Sequence, residues 1–247
     1  MPIYSGDISL IFLDIPRFVP YTLLMARLAR VIAPGYPHHV TQRGVRSLSI
    51  FRNNEDRKMY LEFMAQETRR FGVKILAWCL MANHVHLIAV PLDLGGLARG
   101  IGEAHKRYSR MRNFDEGVRG YLFQGRFRSC VLDEKHLVAA VRYVERNPVR
   151  AGIVRVAWEY PWSSAGYHVG ERAKDVLVDD QALWGFSGNW KEYVGEWRED
   201  EELGIRKSTR TGRPWMDGKG LSKLERLTGR DLQKRKPGRP LRNPQNK

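Results

Sequence analysis

Hydrophobic positions recur along the chain at two different spacings, and their alternation predicts the elements of one domain. In the first helical segment, Tyr60, Phe63 and Met64 fall on one face, whereas the neighbouring apolar runs have the character of strands. The predicted elements are a strand over 36–43, a helix from Asn53 or Asn54 to about Arg70, strands over Val73–Leu80 and His84–Val90, a helix over Leu97–Met111, a loop leading to a strand within Tyr121–Val131, and a helix over Glu134–Arg146. This order predicts an α+β domain, an antiparallel sheet with helices against one face.

Outside this region the pattern weakens. We expect residues 1–24 to be a dispensable N-terminal extension, 25–170 to be the domain, and 171–205 to be an acidic, Trp-containing appendage. Residues 206–247 are rich in Gly, Pro, Lys and Arg, which predicts a basic, largely disordered tail with a short helix around Leu221–Leu227.

The charge of the 247 residues is strongly positive and unevenly distributed. The net charge of +15 divides into −1 over 1–24 (1 basic, 2 acidic), +11 over 25–170 (23 basic, 12 acidic), −6 over 171–205 (4 basic, 10 acidic) and +11 over 206–247 (14 basic, 3 acidic). Two basic blocks indicate a polyanionic partner, with the acidic part as a spacer or mask. The simpler alternative is that the excess charge only maintains solubility.

Cysteine content and apolar runs restrict the class of protein. Two cysteines exclude a disulfide scaffold and a Cys-rich zinc module and indicate a reducing compartment. The apolar stretch from Ile8 to Val19 is interrupted by Asp14, Pro16 and Arg17 and is too short to span a bilayer. We therefore expect a soluble, intracellular protein without a membrane partner.

The sequence His84-Val85-His86 lies inside a predicted strand. Side chains alternate along a strand, so both imidazoles project from one face, about 6–7 Å apart at their origins, and can converge on one divalent ion. The alternative is a pair of hydrogen-bonded histidines at a sheet end. A metal site would need a third ligand, and these ligand types do not separate zinc, manganese and magnesium.

Two tyrosines on predicted helices are candidate nucleophiles. Tyr108 lies on the apolar stripe of its helix, which predicts a core position. Tyr143 lies beside the stripe of the last helix, and Asn147 follows one turn later. From there Tyr143 could reach a metal site, or it could be a boundary tyrosine with a hydrated hydroxyl. His136, on the same flank, is a candidate base.

Four motifs together resemble the REP-associated tyrosine transposases of bacteria, a branch of the HUH single-tyrosine transposases. They are Pro-His-His-Val-Thr-Gln-Arg-Gly at 37–44, Met-Ala-Asn-His-Val-His-Leu-Ile at 81–88, Gly-Arg-Phe-Arg at 125–128, and Tyr-Val-Glu-Arg-Asn-Pro-Val-Arg-Ala-Gly-Ile-Val at 143–154. The resemblance covers about Ala26 to Tyr167. Ala82 departs from the pattern, since many relatives have proline there.

The resemblance implies a ferredoxin-like HUH domain that cuts and rejoins single-stranded DNA near hairpins through a 5′-phosphotyrosine intermediate. It implies Tyr143 as the nucleophile and His84, His86 and Asn147 as ligands of a divalent metal ion, for which Mg²⁺ or Mn²⁺ is expected. It further implies a REP-like hairpin or single-stranded DNA as partner, a monomer or homodimer, and a location in the bacterial cytoplasm near the nucleoid.

Basic residues supply candidate DNA contacts. Arg126 and Arg128 are interleaved with Phe123 and Phe127, a pattern that suits phosphate contacts and base stacking on a single strand. The alternative is a solvated strand face over core aromatics. Arg43 and Arg46 are candidates of the same kind.

The tail contains a segment, Lys234–Pro240, that looks like an AT-hook core in which Arg239 would enter the minor groove. Sequence-independent attraction to phosphates is the simpler interpretation of this segment.

Two other functions remain open: a domesticated DNA- or RNA-binding protein without cleavage, and a metallonuclease that uses water, with Tyr143 structural. The intact set of His84, His86, Tyr143 and Asn147 argues against a pure binder.

Overall fold

The computed structural model describes residues 29–179 and 186–233, so the predicted extension over 1–24 and the candidate Arg239 lie outside the described residues. The strands are β1 (His38–Arg43), β2 (Val73–Leu80), β3 (His84–Pro91) and β4 (Arg128–Val131), and the helices are α1 (Asn54–Arg70), α2 (Gly96–Asp115), α3 (Glu134–Glu145), α4 (Asn147–Arg150), α5 (Ala165–His168), α6 (Trp190–Gly195), α7 (Glu199–Thr211) and α8 (Gly218–Thr228).

The four strands form one antiparallel sheet in the order β2-β3-β1-β4. Helix α1 connects β1 to β2, and α2 connects β3 to β4, which is the ferredoxin-like arrangement. The predicted fold class is therefore confirmed. The predicted start of α1 is also confirmed, because the side-chain oxygen of Asn53 accepts a hydrogen bond from the backbone N–H of Asp56 at 2.9 Å.

Helices cover both faces of the sheet. Helices α1 and α2 share one face, but α3 packs on the opposite face, so the prediction that the helices lie against one face is wrong for α3. This second layer follows from the strands themselves: seven of the eight residues of β2 and seven of the eight of β3 are buried. Side chains of a strand alternate between faces, so strands buried along their whole length need cover on both sides.

Tyr108 lies in the core between α1, α2 and the sheet, as its position on the apolar stripe predicts. Its side chain is fully buried, and its hydroxyl donates to the Ile50 carbonyl oxygen at 2.7 Å. Arg112 donates to the same carbonyl at 2.5 Å. Tyr108 is therefore a structural residue.

The C-terminal region is more ordered than the composition predicts. The prediction that the tail from residue 206 onward is largely disordered is wrong for residues 206–233, which include the end of α7 and all of α8. Trp190 and Ile205 are buried in the α3 layer, and Leu224 is buried against Val31 and Val131. Apolar residues spaced among many charges anchor these helices, and average composition hides such residues. The predicted short helix near Leu221–Leu227 is confirmed as α8.

Among the described residues, no helix is long and apolar enough to cross a membrane.

A buried carboxylate fixes the C-terminal end of α3. Glu145 is fully buried and accepts hydrogen bonds from Ser164 Oγ at 2.6 Å, His168 Nδ1 at 2.5 Å and Trp190 Nε1 at 3.0 Å. Burial disfavours the charged form of His168, but attraction to Glu145 and the hydrogen bond between them outweigh burial and raise the pKa of His168 above 6.5. One carboxylate thus joins α3, α5 and α6.

Replacing Glu145 with glutamine should lower the free energy of unfolding by about 3 kcal/mol, because it leaves the buried His168 without its counter-charge. The raised pKa of His168 means that the pair stabilises the wild-type protein fully below pH 6.5 and loses this contribution as the pH rises through the folded-state pKa. Urea unfolding between pH 6 and 9 should show this decline in the wild type and not in Glu145→Gln. The exposed Glu62→Gln is the control, and equal stability of both variants would contradict the assignment.

Candidate active site

A cavity of about 670 Å³ opens at the end of the sheet, where β1, β3 and β4 meet α3 and α7. Its lining is largely basic and polar. The residues are His39, Thr41, Gln42, Arg43, His84, His86, Gln124, Arg126, Arg128, Tyr143, Arg150, Leu203, Arg206, Lys207, Thr209 and Arg210.

The strand register brings the polar lining residues onto one face of the sheet. Thr41 on β1 lies opposite His86 on β3 and opposite Arg128 on β4, and Arg43 lies opposite His84. Directly opposed residues in antiparallel strands share a face. Further along the same face stand apolar residues such as Ile88 and Cys130, which pack under α3. The face covered by α3 therefore changes from apolar to polar where the cavity begins.

Tyr143 lies at this boundary, in the last turn of α3. Its ring is buried and meets the His86 ring edge-to-face at a centroid distance of 5.7 Å, and the His39 ring in the same way at 5.7 Å. The guanidinium carbon of Arg150 lies 4.6 Å from the centre of the Tyr143 ring. The tyrosine and the histidine pair identified in the sequence thus share one cavity.

The side chain of Asn83 determines the tautomer of His84. Its amide nitrogen donates to the Ser47 carbonyl oxygen at 3.2 Å, so its amide oxygen faces His84 Nδ1 at 2.6 Å. An amide oxygen only accepts, and the His84 Nδ1 therefore carries the proton. In the neutral ring, Nε2 is left with a free lone pair.

Both histidines of the pair are neutral at pH 7. Burial, followed by the nearby Arg43 and Arg150 charges, lowers the pKa of His84 to about 4. Burial, followed by His39 and His84, lowers the pKa of His86 well below 6.5. Neutral imidazole is the form that binds metal ions.

Asn147 occupies the predicted position one turn after Tyr143, but its side chain is fully engaged. Its amide nitrogen donates to the carbonyl oxygens of Tyr143 at 2.9 Å and Val144 at 3.1 Å, and its amide oxygen accepts from Arg150 at 2.5 Å. It is buried and is not among the residues that line the cavity. The Asn147 amide oxygen, the atom that would bind a metal ion, is thus hydrogen-bonded to Arg150.

The described residues contain no group of three or more His, Cys, Asp or Glu side chains that could hold a metal ion. His84 and His86 fit a divalent ion as two neutral nitrogen donors with ring centroids 5.0 Å apart. Further ligands would have to be oxygen atoms of an amide, DNA or water.

Three of the five predicted DNA-contacting arginines line the cavity, namely Arg43, Arg126 and Arg128. Arg46 is exposed on the turn after β1 and is not among the lining residues. The predicted stacking role of Phe123 and Phe127 is wrong, because both rings are buried in the core beneath α2. Both rings are core aromatics, and DNA contact by Arg126 and Arg128 stays a prediction.

His136, the candidate base, lies outside the lining set. Its Nδ1 is 2.6 Å from Asp133 Oδ1, and its ring packs against Trp215 at 4.5 Å.

Helix α7 forms a wall of the cavity that the sequence interpretation missed. Its first turn is acidic and is anchored on the arginines that flank Tyr143: Glu201 pairs with Arg142, and Glu202 with Arg150 at 3.5 Å. Its later turns carry Arg206, Lys207 and Arg210, which line the cavity. The boundary between the predicted acidic appendage and the predicted basic tail thus lies in the middle of one helix. The acidic first half pairs with arginines, and the basic second half lines the cavity.

His39 and Arg150 were also missed. For His39 a signal was present, because His39, Thr41 and Arg43 alternate along β1 as His84 and His86 do along β3. For Thr209 no comparable signal exists, since it lies 66 residues beyond Tyr143 in a segment without strand or catalytic pattern.

The region that contains this cavity matches a known protein family. Residues 36–147 match the model of the family described as transposase IS200-like. A protein from Haemophilus influenzae named as a REP-associated tyrosine transposase is 27% identical over 122 residues, which cover 45% of this chain and 67% of that protein.

A solved structure of a REP-associated tyrosine transposase bound to a REP hairpin aligns with a TM-score of 0.49 at 19% identity, covering 67% of this chain and 97% of that one.

The matched region contains the histidine pair, Tyr143 and Asn147 in the order that the motifs predicted. The resemblance seen in the sequence is confirmed by this match, since residues 36–147 are similar to the IS200-like transposase family.

Proposed function

We propose that this protein cleaves and rejoins single-stranded DNA beside a hairpin, with Tyr143 as the nucleophile. The observation that carries the proposal is the contact between the Tyr143 ring and the His86 ring inside a basic cavity. The name of the Haemophilus influenzae relative supports a REP-like hairpin as the DNA partner. A DNA substrate of this kind implies action in the bacterial cytoplasm.

The proposed reaction is a transesterification. The hydroxyl oxygen of Tyr143 forms a bond to phosphorus while the bond from phosphorus to the 3′ oxygen breaks, which leaves a 5′-phosphotyrosine and a free 3′-OH. The phenol proton leaves as the new bond forms, and the departing 3′ oxygen takes up a proton. Rejoining reverses these steps with another 3′-OH, so the number of phosphodiester bonds is conserved and no nucleotide cofactor is needed.

The cavity supplies charge where this reaction needs it. A backbone phosphate next to Tyr143 would meet Arg43 and Arg128 from the sheet and Arg206 and Arg210 from α7. Fixed positive groups that stabilise developing negative charge lower the barrier of a phosphoryl transfer. Arg150 packs against the Tyr143 ring and places a further positive charge beside it.

A divalent ion, Mg²⁺ or Mn²⁺, would be held by His84 and His86. When bound, it would withdraw charge from the scissile phosphate and orient it. Asn147 could serve as a third ligand only after Arg150 releases its amide oxygen, and a phosphate oxygen is the group that would draw Arg150 away.

The main competing function is a nuclease that uses water, with Tyr143 structural. The position of Tyr143 beside His86 favours the tyrosine, because its ring already occupies the space next to the pair. A DNA-binding protein without cleavage would not require neutral imidazoles in its cavity.

Replacing Tyr143 with phenylalanine removes one oxygen and should abolish the covalent protein–DNA adduct, with the melting temperature and DNA affinity nearly unchanged. The measurement is a denaturing gel of labelled single-stranded hairpin DNA incubated with protein and Mn²⁺. Tyr108→Phe is the control and should still form the adduct, at a cost of about 1 kcal/mol in stability. Cleavage without an adduct in the wild type would indicate the water-using nuclease.

Replacing Arg206 and Arg210 with glutamine should weaken binding to single-stranded DNA and flatten its salt dependence. Each lost phosphate contact reduces the slope of log K against log salt by about 0.7. The matched control carries the same charge change on exposed residues away from the cavity, Arg155→Gln with Lys174→Gln. Equal slopes for the two double variants would show that α7 does not contact DNA.

Ending the chain at residue 233 should weaken DNA binding but preserve adduct formation at saturating DNA, because α7 and α8 remain. The removed segment carries six Lys and Arg and no acidic residue. Fluorescence anisotropy at several salt concentrations measures the effect. Unchanged affinity at every concentration would show that the segment has another role.

A further inference from the structure

A hydrogen-bonded chain of buried side chains runs from α7 to His86. His39 Nδ1 lies 2.7 Å from Thr209 Oγ1, and His39 Nε2 lies 2.9 Å from His86 Nδ1. The two imidazole planes are parallel within 2° and their centroids are 5.1 Å apart, which with the 2.9 Å N···N distance places the hydrogen bond in the plane of both rings. All three side chains are buried, and no solvent molecule is needed to complete the chain.

This chain permits two arrangements of its protons. In one, His86 Nδ1–H donates to His39 Nε2, and His39 Nδ1–H donates to Thr209 Oγ1. In the other every donor is reversed: Thr209 donates to His39, and His39 Nε2–H donates to His86 Nδ1. The arrangements differ at the far end of the chain, because only the first leaves His86 Nε2 with a free lone pair.

The surroundings are compatible with the first arrangement. Cys130 Sγ lies 3.5 Å from Thr209 Oγ1, so the hydroxyl proton of Thr209 can point to sulfur while its oxygen accepts from His39. The neighbouring His84 has its proton on Nδ1 because of Asn83. With the first arrangement both histidines of the pair turn unprotonated Nε2 atoms away from their partners, as a shared ligand requires.

We propose that His39 and Thr209 are positioning residues that hold His86 in the Nδ1–H tautomer, so that helix α7 prepares the histidine pair for metal binding. The inference rests on the proposed function for its metal ion, but the tautomer itself exists without metal. Partners that hold the second nitrogen of a metal-binding histidine are a general feature of metal sites, and their loss typically weakens metal affinity 10- to 100-fold.

The direct test is long-range ¹H–¹⁵N NMR of the histidine side chains in the metal-free protein at pH 7. The protein has seven histidines, and the signals that are lost in His86→Gln are those of the His86 ring. We expect the Nδ1–H tautomer of His86 in the wild type. Thr209→Val removes the acceptor for His39 Nδ1–H, so His39 should reprotonate on Nε2 and drive His86 toward the Nε2–H tautomer.

Three variants separate positioning from packing. Thr209→Ser restores the hydroxyl and should restore the wild-type tautomer. His39→Gln retains an acceptor for His86, whereas His39→Phe retains ring volume without one, so only the second should disturb His86. Thr211→Val is the matched control, because the Thr211 hydroxyl bonds backbone groups alone, the Lys207 and Ser208 carbonyls and the Arg213 N–H, and none of the three side chains above.

The second readout is titration of the protein with Mn²⁺ alone. Thr209→Val should raise the Mn²⁺ dissociation constant about tenfold, and adduct formation should need correspondingly more Mn²⁺. Thr209→Ser and Thr211→Val should match the wild type in both measurements.

The outcomes distinguish this inference from the proposed function. An Nε2–H tautomer of His86 in the wild type would overturn the proposed role of His39 and Thr209. An unchanged tautomer and Mn²⁺ affinity in both Thr209→Val and His39→Phe would overturn it as well. If the tautomers are as predicted but the wild type binds no Mn²⁺ and forms no adduct, the role of the hydrogen-bonded side chains would be supported and the proposed function refuted. If Thr209→Val does not fold, the two His39 variants decide.

Discussion

The packing of α3 against the sheet is the constraint on which the rest of the site depends. The strand face beneath α3 is apolar on β2 and on parts of β3 and β4, and it is polar along β1 and at the ends of β3 and β4 that border the cavity. Tyr143 reaches the histidine pair because α3 ends at that change. Glu145, two residues later, holds the helix end through three buried hydrogen bonds. A carboxylate with no contact to the cavity thus fixes where the tyrosine lies.

Helix α7 contains both the end of the acidic stretch and the start of the basic stretch of the C-terminal region. A helix N-terminus favours acidic residues, and the four acidic residues of the first turn of α7 also meet the arginines of α3 and α4. The same helix then presents Arg206, Lys207 and Arg210 to the cavity and Thr209 to His39. The acidic stretch is therefore an attachment, and the basic stretch that follows is part of the site. Neither half could be assigned from net charge alone.

Local pattern was sufficient to predict most of the domain. The bounds of α1, β2, β3 and α3 follow from caps, periodicity and Pro148, which act within a few residues of the positions they determine. The pairing of His84 with His86, and the separation of Tyr143 from the core residue Tyr108, follow from the same local periods. The second helical layer was not predicted, because strand burial on both faces is a property of the packed sheet.

The parts of the site that escaped prediction depend on contacts between distant residues. Thr209 meets His39 across 170 positions. Asn147 is the exception, because Arg150, only three positions later, binds the oxygen that the resemblance predicts as a metal ligand. Composition indicated a disordered tail from residue 206, since many charged residues outnumber the few apolar ones that anchor α7 and α8, such as Ile205 and Leu224. Long-range contacts therefore determine the positions of Thr209 and of helices α7 and α8.

Peptide mapping by mass spectrometry is the most direct test of whether Tyr143 becomes covalently joined to DNA. The wild-type protein would be incubated with a single-stranded hairpin DNA and Mn²⁺, digested with nuclease and protease, and searched for a peptide that carries a nucleotide. We expect a single modified peptide, with the 5′-phosphate on Tyr143. Cleaved DNA with no modified peptide, or a modification on another tyrosine, would contradict it.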